Sequence, residues 1–317
     1  MTTRRRFLLA AIPALAGAVI LPRRRARAQS AATSSGAKTR LVLLGTGGGP
    51  RPRKSSMSSA QVIIANGVPY VIDCANGVGR QLVLAGVPLA SLRHVFITHH
   101  HSDHNADYGT LLLLAWASGL RTRVDTWGPP PLEKITRLFF EMSAPDIDVR
   151  IADEGRVPLV PLIHPHEVTG DGPVLQDENL KVTAARVEHP LVPDAFAYRF
   201  DAPDRSIVIS GDTHRSDNLI RLARGADVLV HEALWLPGVD RLVSFSPNAS
   251  TIRKHIVDSH TPVEEVGEVA AAAGVKTLVL SHLVPADDDR LTDQTWIDLA
   301  RKSFSGQIIV AKDLMEV

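Results

Sequence analysis

Ten residues, FITHHHSDHN, concentrate metal-binding side chains directly after an apolar run. His99, His101, Asp103 and His104 form the pattern H-x-H-x-D-H. Alternate side chains of an extended segment point the same way, so His99 and His101 can bind one metal ion. Asp103 and His104 then turn toward a second ion, and His100 is predicted to point away. Imidazole and carboxylate ligands without thiolate suit Zn²⁺, with Mn²⁺ or Fe as competitors.

Further histidine and aspartate side chains follow the ends of other predicted strands. They are His189 after strand 181–187, Asp212 after 206–210, His231 at the end of 227–231 and His282 after 276–281. Ligands in α/β folds collect at the carboxyl ends of strands. The coincidence of several such strand ends therefore predicts a metal centre at one edge of a sheet.

The elements that must position these residues alternate along the chain. The predicted strands are residues 41–45, 61–65, 70–74, 94–98, 181–187, 195–200, 206–210, 227–231, 276–281 and 307–311. The predicted helices are residues 107–118, 132–142, 217–224 and 262–273, the last with Thr261 and Glu264 in a capping box. No linker divides residues 40–317, which are predicted to form one α/β domain.

The N-terminus has the composition of an export signal. Residues 1–28 hold arginines, an apolar run and a small-residue cleavage site, and TRRRFLL resembles the twin-arginine signal. We expect cleavage after residue 28, a flexible lead-in over 29–39, and a periplasmic or secreted protein. The alternative is an uncleaved signal that anchors the protein to a membrane, which the arginines at 23–25 favour.

Composition narrows the predicted partners. Residues 1–28 carry seven arginines and no acid, so removing them changes the whole-chain charge of +1 to −6. A mildly acidic protein is not typical of a polyanion binder, and nucleic acid is predicted to be an improbable partner. Cys74 is the single cysteine, so no internal disulfide can form.

The motif THHHSDH resembles the signature of the metallo-β-lactamase superfamily. Other segments, in order, resemble the branch that holds ribonuclease Z and the arylsulfatase-like hydrolases. They are LVLLGTGGGP, YVIDCANGVGRQLVLAGV, WGPP, SGDT, HEA, HTP and VLSHL. The resemblance implies a four-layer αβ/βα sandwich, with a dinuclear zinc site between two mixed sheets and Asp73 orienting the histidine-rich loop from behind.

The resemblance also implies which residue binds which ion. The first ion would be held by His99, His101 and His189, the second by Asp103, His104 and His282, with Asp212 bridging both. A water activated between the two ions would attack an ester, and Asp103 would orient it and accept its proton. In this branch His260 and Glu232 would form a pair that assists the leaving group. His231 is expected to be structural.

The substrate follows less directly from the residues. The chain shows no basic insertion of the kind that grips tRNA, and an exported acidic protein favours a small anionic ester, either an aryl sulfate or a phosphodiester. Alternatives are a ribonuclease Z-like RNA endonuclease, a β-lactamase or carboxylic-ester and lactone hydrolase, and a non-catalytic metal-binding protein. Membrane contact is expected only through an uncleaved signal, and homodimer formation is left open.

Overall fold

The computed structural model describes residues 39–192 and 194–317. Within these residues the strands are β1 (Arg40–Gly45), β2 (Ala60–Ala65), β3 (Val68–Ile72), β4 (His94–Phe96), β5 (Val124–Gly128), β6 (Ile163–Glu167), β7 (Gly172–Gln176), β8 (Lys181–Arg186), β9 (Phe196–Ala202), β10 (Arg205–Ile209), β11 (Val228–Leu234), β12 (Thr277–Val284), β13 (Gln307–Val310) and β14 (Met315–Glu316). The helices are α1 (Val78–Leu84), α2 (Ser102–Asn105), α3 (Tyr108–Ala117), α4 (Leu132–Glu154), α5 (Asp217–Leu222), α6 (Leu236–Val243), α7 (Ala249–Ser259), α8 (Val263–Ala273) and α9 (Asp293–Arg301), with 3₁₀ turns at Leu89–Ser91 and Val160–Leu162.

In the described part of the chain, the strands form two seven-stranded sheets. The first has the order β14-β1-β2-β3-β4-β5-β6, and the second has the order β13-β12-β11-β10-β9-β8-β7. Apolar side chains fill the space between the sheets, and two further apolar clusters pack helices onto the outer faces. The predicted four-layer αβ/βα sandwich is therefore confirmed.

Strand β1 illustrates why both faces of a strand are apolar in this fold. Successive side chains of a strand point to opposite faces. Leu41 and Leu43 enter the layer between the sheets, whereas Val42 and Leu44 pack against the helices outside the first sheet. A strand covered on both sides reads as a continuous apolar run, as LVLL does.

Parallel pairing brings the chemically active segments to one edge. Strand β4 is parallel to β3 and β5, and β11 is parallel to both β10 and β12. Parallel strands end at the same edge of their sheet, so the segments after β4, β10 and β12 meet where the two sheets face each other. This arrangement, rather than sequence proximity, assembles the site.

The predicted capping box at α8 is wrong. The helix begins at Val263 with Pro262 at the N-cap, and no side chain caps it. Thr261 has other partners: its hydroxyl donates to the Thr213 carbonyl at 2.6 Å and its N–H donates to Glu232 Oε1 at 2.8 Å. Thr261 therefore lies one residue before the N-cap position, where its hydroxyl does not accept from the first turn of the helix.

Several element boundaries differ from the predicted ones. Helix α4 continues past Met142 and Pro145 because Ile147 and Ile151 pack against the apolar cluster of the first sheet. The unassigned segment 157–174 supplies β6 and the start of β7, the outermost strands of the two sheets. Pro165 is tolerated in β6 because an edge strand pairs on one side only.

The predicted export signal, residues 1–28, lies outside the described residues, as does the predicted lead-in except for Thr39. The division into these segments, the export route, the uncleaved anchor and homodimer formation all stay predictions. Among the helices that the structure describes, none combines the length and apolar composition needed to cross a membrane.

Candidate metal centre

The histidine-rich segment leaves the first sheet just after β4 and turns into the one-turn helix α2. His101 is the N-cap residue of α2, in an extended conformation, and Asp103 and His104 lie within the helix. This change from extended to helical backbone points the two pairs of side chains in different directions. His100 points away, as predicted, with Nε2 2.8 Å from the Pro129 carbonyl oxygen and Nδ1 2.9 Å from Asn105 Nδ2.

Four side chains form the first candidate metal group. They are His99, His101, His189 and Asp212, and each offers one ligand atom within 4.8 Å of the others. The three imidazoles surround a common point, with ring centroids 4.8 to 4.9 Å apart. His189 comes from the loop after β8, so this group joins residues carried by both sheets.

A second group lies beside the first. It consists of Asp103, His104, Asp212 and His282, again within 4.8 Å of one another. His282 Nε2 is 3.3 Å from Asp103 Oδ2. His282 lies at a register shift between β11 and β12 and has a left-handed φ of 43°. The β-bulge reorients its side chain toward the other sheet, which a regular strand would not do.

Asp212 belongs to both groups through different oxygens. Its Oδ1 is 3.2 Å from the Nε2 atoms of His104 and His282, and its Oδ2 is 3.9 Å from His99 Nε2. A carboxylate with one oxygen facing each group has the geometry of a bridging ligand. The structure thus brings together the seven predicted metal ligands in the two predicted sets.

The donor atoms of these groups suit metal cations. His99 Nε2, His104 Nε2, His189 Nε2 and Asp212 Oδ1 are buried and have no hydrogen-bond partner among the residues that the structure describes. Buried polar atoms without partners are destabilising, so several pointing at common centres indicate a ligand. Nitrogen and carboxylate donors fit two divalent ions, typically zinc in this fold.

Asp73 holds His104 from behind, where the resemblance placed it. Its Oδ2 is 2.7 Å from His104 Nδ1, and its Oδ1 accepts the Thr98 N–H at 2.8 Å. A carboxylate at Nδ1 fixes the ring tautomer and leaves the Nε2 lone pair for a cation. Burial disfavours a charged His104, but Asp212, Asp73 and Asp103 raise its pKa well above the ordinary value. Without metal, a proton takes the place of the cation.

The first group has the opposite electrostatic bias. Burial lowers the pKa of His189 to about 4, even though Asp212 lies nearby. Burial and the positive charge of His104 likewise lower the pKa of His99 well below its ordinary value. These rings are therefore neutral at physiological pH, which is the form that binds metal.

His260 and Glu232 form the predicted pair beside the second group. His260 Nδ1 is 3.4 Å from Glu232 Oε1 and 3.9 Å from Asp212 Oδ2. Burial opposes protonation of His260, but Glu232 and Asp212 outweigh it and raise the pKa to about 9. His260 is therefore a buried proton donor at neutral pH.

His231 lies in neither metal group, and its Nδ1 is 2.6 Å from the Glu232 carbonyl oxygen.

A cavity of about 420 Å³ opens from the metal groups toward solvent. Its floor includes His101, Asp103, Asp212 and His260. The glycine-rich loop forms one side: Gly49 N–H donates to Asp103 Oδ2 at 2.9 Å, while Arg51 and Arg53 line the rim. The loop therefore supports a predicted ligand and places positive charge at the entrance.

Sequence reasoning missed the other side of this cavity. His255, on α7, was given no role because it matches no motif, yet its ring centroid is 5.7 Å from that of His101. The signal that could have found it is its position five residues before His260, on the helix that leads into the HTP turn. Helices α6 and α7 themselves were not predicted.

Comparison with known proteins agrees with this geometry. A family model described as "Beta-lactamase superfamily domain" matches residues 70–283. The chain belongs to the metallo-β-lactamase superfamily, as its motifs indicated, and is a hydrolase of that class with a site for divalent metal.

The names of individual relatives indicate a more specific class of protein than the family model does. A protein named Ribonuclease Z from Mycobacterium bovis (strain BCG / Pasteur 1173P2) is 33% identical over 280 residues, which cover 87% of this chain and 97% of the relative. The human tRNase Z short form superposes with a TM-score of 0.65 at 21% identity, over 88% of this chain and 98% of that one. YhfI from Bacillus subtilis has a TM-score of 0.65 at 21% identity, covering 89% and 100%.

These relatives overturn two predictions. The preference for a small anionic ester as substrate, either an aryl sulfate or a phosphodiester, is wrong, and so is the view that nucleic acid is an improbable partner, because the curated relatives are named Ribonuclease Z. The net charge misled because it sums the whole surface, whereas a polyanion meets only local charge, such as Arg51 and Arg53 at the cavity rim. The metal motif could not identify the substrate either, since one kind of metal centre can attack several kinds of ester.

Proposed function

We propose that this chain is a metal-dependent RNA endonuclease that hydrolyses a phosphodiester bond. The observation that carries the proposal is the pair of metal groups sharing Asp212 at the floor of a cavity, in a chain 33% identical to a ribonuclease Z. Zinc is the proposed ion, with manganese or iron as alternatives to be distinguished by reconstitution.

The protein's own residues have separate tasks in this reaction. Asp103, which is ionised because His104 and His282 outweigh the effect of burial and hold its pKa below the ordinary range, orients the attacking water and accepts its proton. His260 donates a proton to the departing oxygen, and Glu232 keeps it charged. Divalent ions in the two groups would lower the pKa of the water and neutralise charge on the phosphoryl oxygens.

The cavity rim supports an anionic polymer as substrate. Arg51 is exposed, and Arg53 is held in place by its hydrogen bonds to the carbonyl oxygens of Gly49 and Arg51 at 3.0 to 3.2 Å. A cation fixed by backbone carbonyls loses little further entropy when it meets a phosphate. The rim therefore suits the phosphates that flank the scissile bond.

The test is cleavage of an end-labelled RNA with a folded stem and a single-stranded 3′ extension, such as a precursor tRNA. Zinc-loaded protein should cleave it at a defined position, and Asp212→Asn should abolish cleavage. Asp177→Asn is a matched control, because Asp177 hydrogen bonds the Tyr70 hydroxyl and the backbone away from both metal groups. Absence of RNA cleavage by protein holding two zinc ions would refute the proposal.

Export remains a prediction to be tested separately. Fractionation of the native host, with an antibody against the mature domain, should find the protein outside the cytoplasm and shortened by about the length of the predicted signal if residues 1–28 act as one. Full-length protein in the cytoplasmic fraction would exclude cleaved export. This result would not bear on the chemistry of the site.

A further inference from the structure

One wall of the cavity is apolar and comes from helices α6 and α7 together with the end of β12. Its members are Leu242, Val243, Ile252, Ile256, Val284 and Pro285. Val243 and Val284 are buried, whereas Leu242, Ile252 and Ile256 are partly exposed while also packing in the small apolar cluster beneath. This group is called the α6–α7 wall below.

The opposite side and the floor of the same cavity are charged. Arg51 and Arg53 line the rim, and Asp103, Asp212 and His260 line the floor. A phosphate with its two ester oxygens would contact this charged half only. The apolar half therefore serves a different part of the substrate, one that is attached to the phosphate and prefers to leave water.

The dimensions of the cavity suit a single nucleotide. Its volume of about 420 Å³ lies within the range of roughly 300–1,000 Å³ that is usual for small-molecule sites. Every nucleobase has a flat apolar face, so packing against aliphatic side chains is tolerant of base identity. His255, at the edge of the wall and 5.7 Å from His101 between ring centroids, offers a second ring surface.

We propose that the α6–α7 wall is a nucleobase subsite that binds the base attached to the scissile phosphate. The proposal rests on the proposed endonuclease function and deepens it. It predicts that the wall, and not only the arginines of the rim, fixes the register of the RNA over the metal groups. Because the wall recognises a face rather than an edge, it provides affinity with little base specificity.

A binding measurement tests the subsite without requiring catalysis. Adenosine 5′-monophosphate and ribose 5-phosphate share a phosphate and a sugar but differ in the base, and neither contains a phosphodiester. Titration calorimetry with zinc-loaded protein should show adenosine 5′-monophosphate binding about tenfold more tightly, because its base would remove apolar surface of the wall from water and the sugar phosphate would not.

Two wall variants locate this preference. Ile256→Ala and Leu242→Ala should each reduce the affinity for adenosine 5′-monophosphate by about three- to tenfold and leave ribose 5-phosphate unaffected. Ile151→Ala is the matched control, since Ile151 is also partly buried but packs under α4 against the first sheet. Thermal unfolding checks that each protein is folded. Because two positions are changed separately, the test still holds if one of the two wall variants does not fold.

The outcomes separate the subsite from the endonuclease. Equal affinity for the two probes, or a preference that survives in both folded wall variants, overturns the subsite even if RNA is cleaved. A preference lost in the wall variants but kept in Ile151→Ala supports it, and RNA that remains uncleaved in parallel then refutes only the proposed function. If RNA is cleaved, an abasic nucleotide at the cleavage site should remove the kinetic effect of Ile256→Ala.

Discussion

Replacing Asp73 with asparagine should weaken zinc binding in the second metal group while sparing the first. Asp73 Oδ1 accepts the Thr98 N–H at 2.8 Å, and Oδ2 faces His104 Nδ1 at 2.7 Å. Both of these partners are hydrogen-bond donors, and the carboxylate offers an acceptor oxygen to each. The asparagine side chain offers one acceptor, its oxygen, and one donor group, its NH₂. Either orientation of the amide therefore places a donor against a donor, or moves the His104 proton to Nε2, where it blocks the ligand atom.

The expected magnitude follows from this conflict. Loss of a partner that orients a ligand usually weakens metal binding by about 10–100-fold, or about 1.4–2.7 kcal/mol. The first group should keep its affinity because Thr98 Oγ1, 3.2 Å from His99 Nδ1, still finds an amide oxygen at position 73. At limiting zinc the variant should also lose most of its hydrolytic activity, since the weakened second group would then be largely without its ion.

The assay is competition for zinc against a fluorescent chelator, combined with metal analysis after dialysis. Wild-type protein should titrate as two sites, and Asp73→Asn as one site of unchanged affinity with a second that is weakened. Asp177→Asn, at a carboxylate that also accepts backbone N–H groups, should behave as wild type. Two unchanged sites in Asp73→Asn would refute the tautomer argument, and loss of both would refute the independence of the groups.

Three further predictions concern other parts of the site. His260→Gln should lower kcat by about 10²–10⁴-fold with zinc content unchanged. Because His260 acts in its protonated form and Glu232 raises its pKa, the wild-type rate should fall at alkaline pH as His260 loses its proton, and the rate of the variant should not. Gly48→Ala should weaken zinc binding roughly tenfold, since its Cβ would lie 2.7 Å from the His282 ring; Gly170→Ala, in open space, is the control. Arg51→Gln should weaken RNA binding and reduce the slope of log K against log salt by about 0.7. An alkaline limb that persists without His260, equal zinc affinities of the two glycine variants, or an unaltered salt slope would contradict the respective prediction.

The sequence was informative where chemistry depends on local spacing. His99, His101, Asp103 and His104 lie within six positions, and a short loop leaves few ways to arrange them. The more distant members could be proposed only because a strand end is a place where ligands gather. Their roles as ligands stay predictions, but the structure places each of them within reach of the predicted neighbours.

Other features depend on tertiary structure and have no local signature. The bulge that turns His282 into the site is a register shift between β11 and β12, which depends on how two distant segments pair. The predicted cap at Thr261 is absent because the helix begins one residue later, at an N-cap of Pro262, while Thr261 hydrogen bonds Thr213 and Glu232. Helices α6 and α7 have no side-chain cap at their first turn, so a local start signal that would have predicted them is missing.

The last strand of the fold gives the chain an order of assembly. Strand β14 pairs with β1 through Val42–Glu316 and Leu43–Met315, so the first sheet is completed by residues that lie more than 270 positions later in the chain. Both metal groups likewise need Asp212, and the second also needs His282. A nascent chain that emerges from the ribosome N-terminus first displays the histidine-rich loop long before its partners exist. Such an intermediate has no complete cage for either ion, so acquisition of both ions reports that the chain has been made at least as far as His282 and that the two sheets have come together.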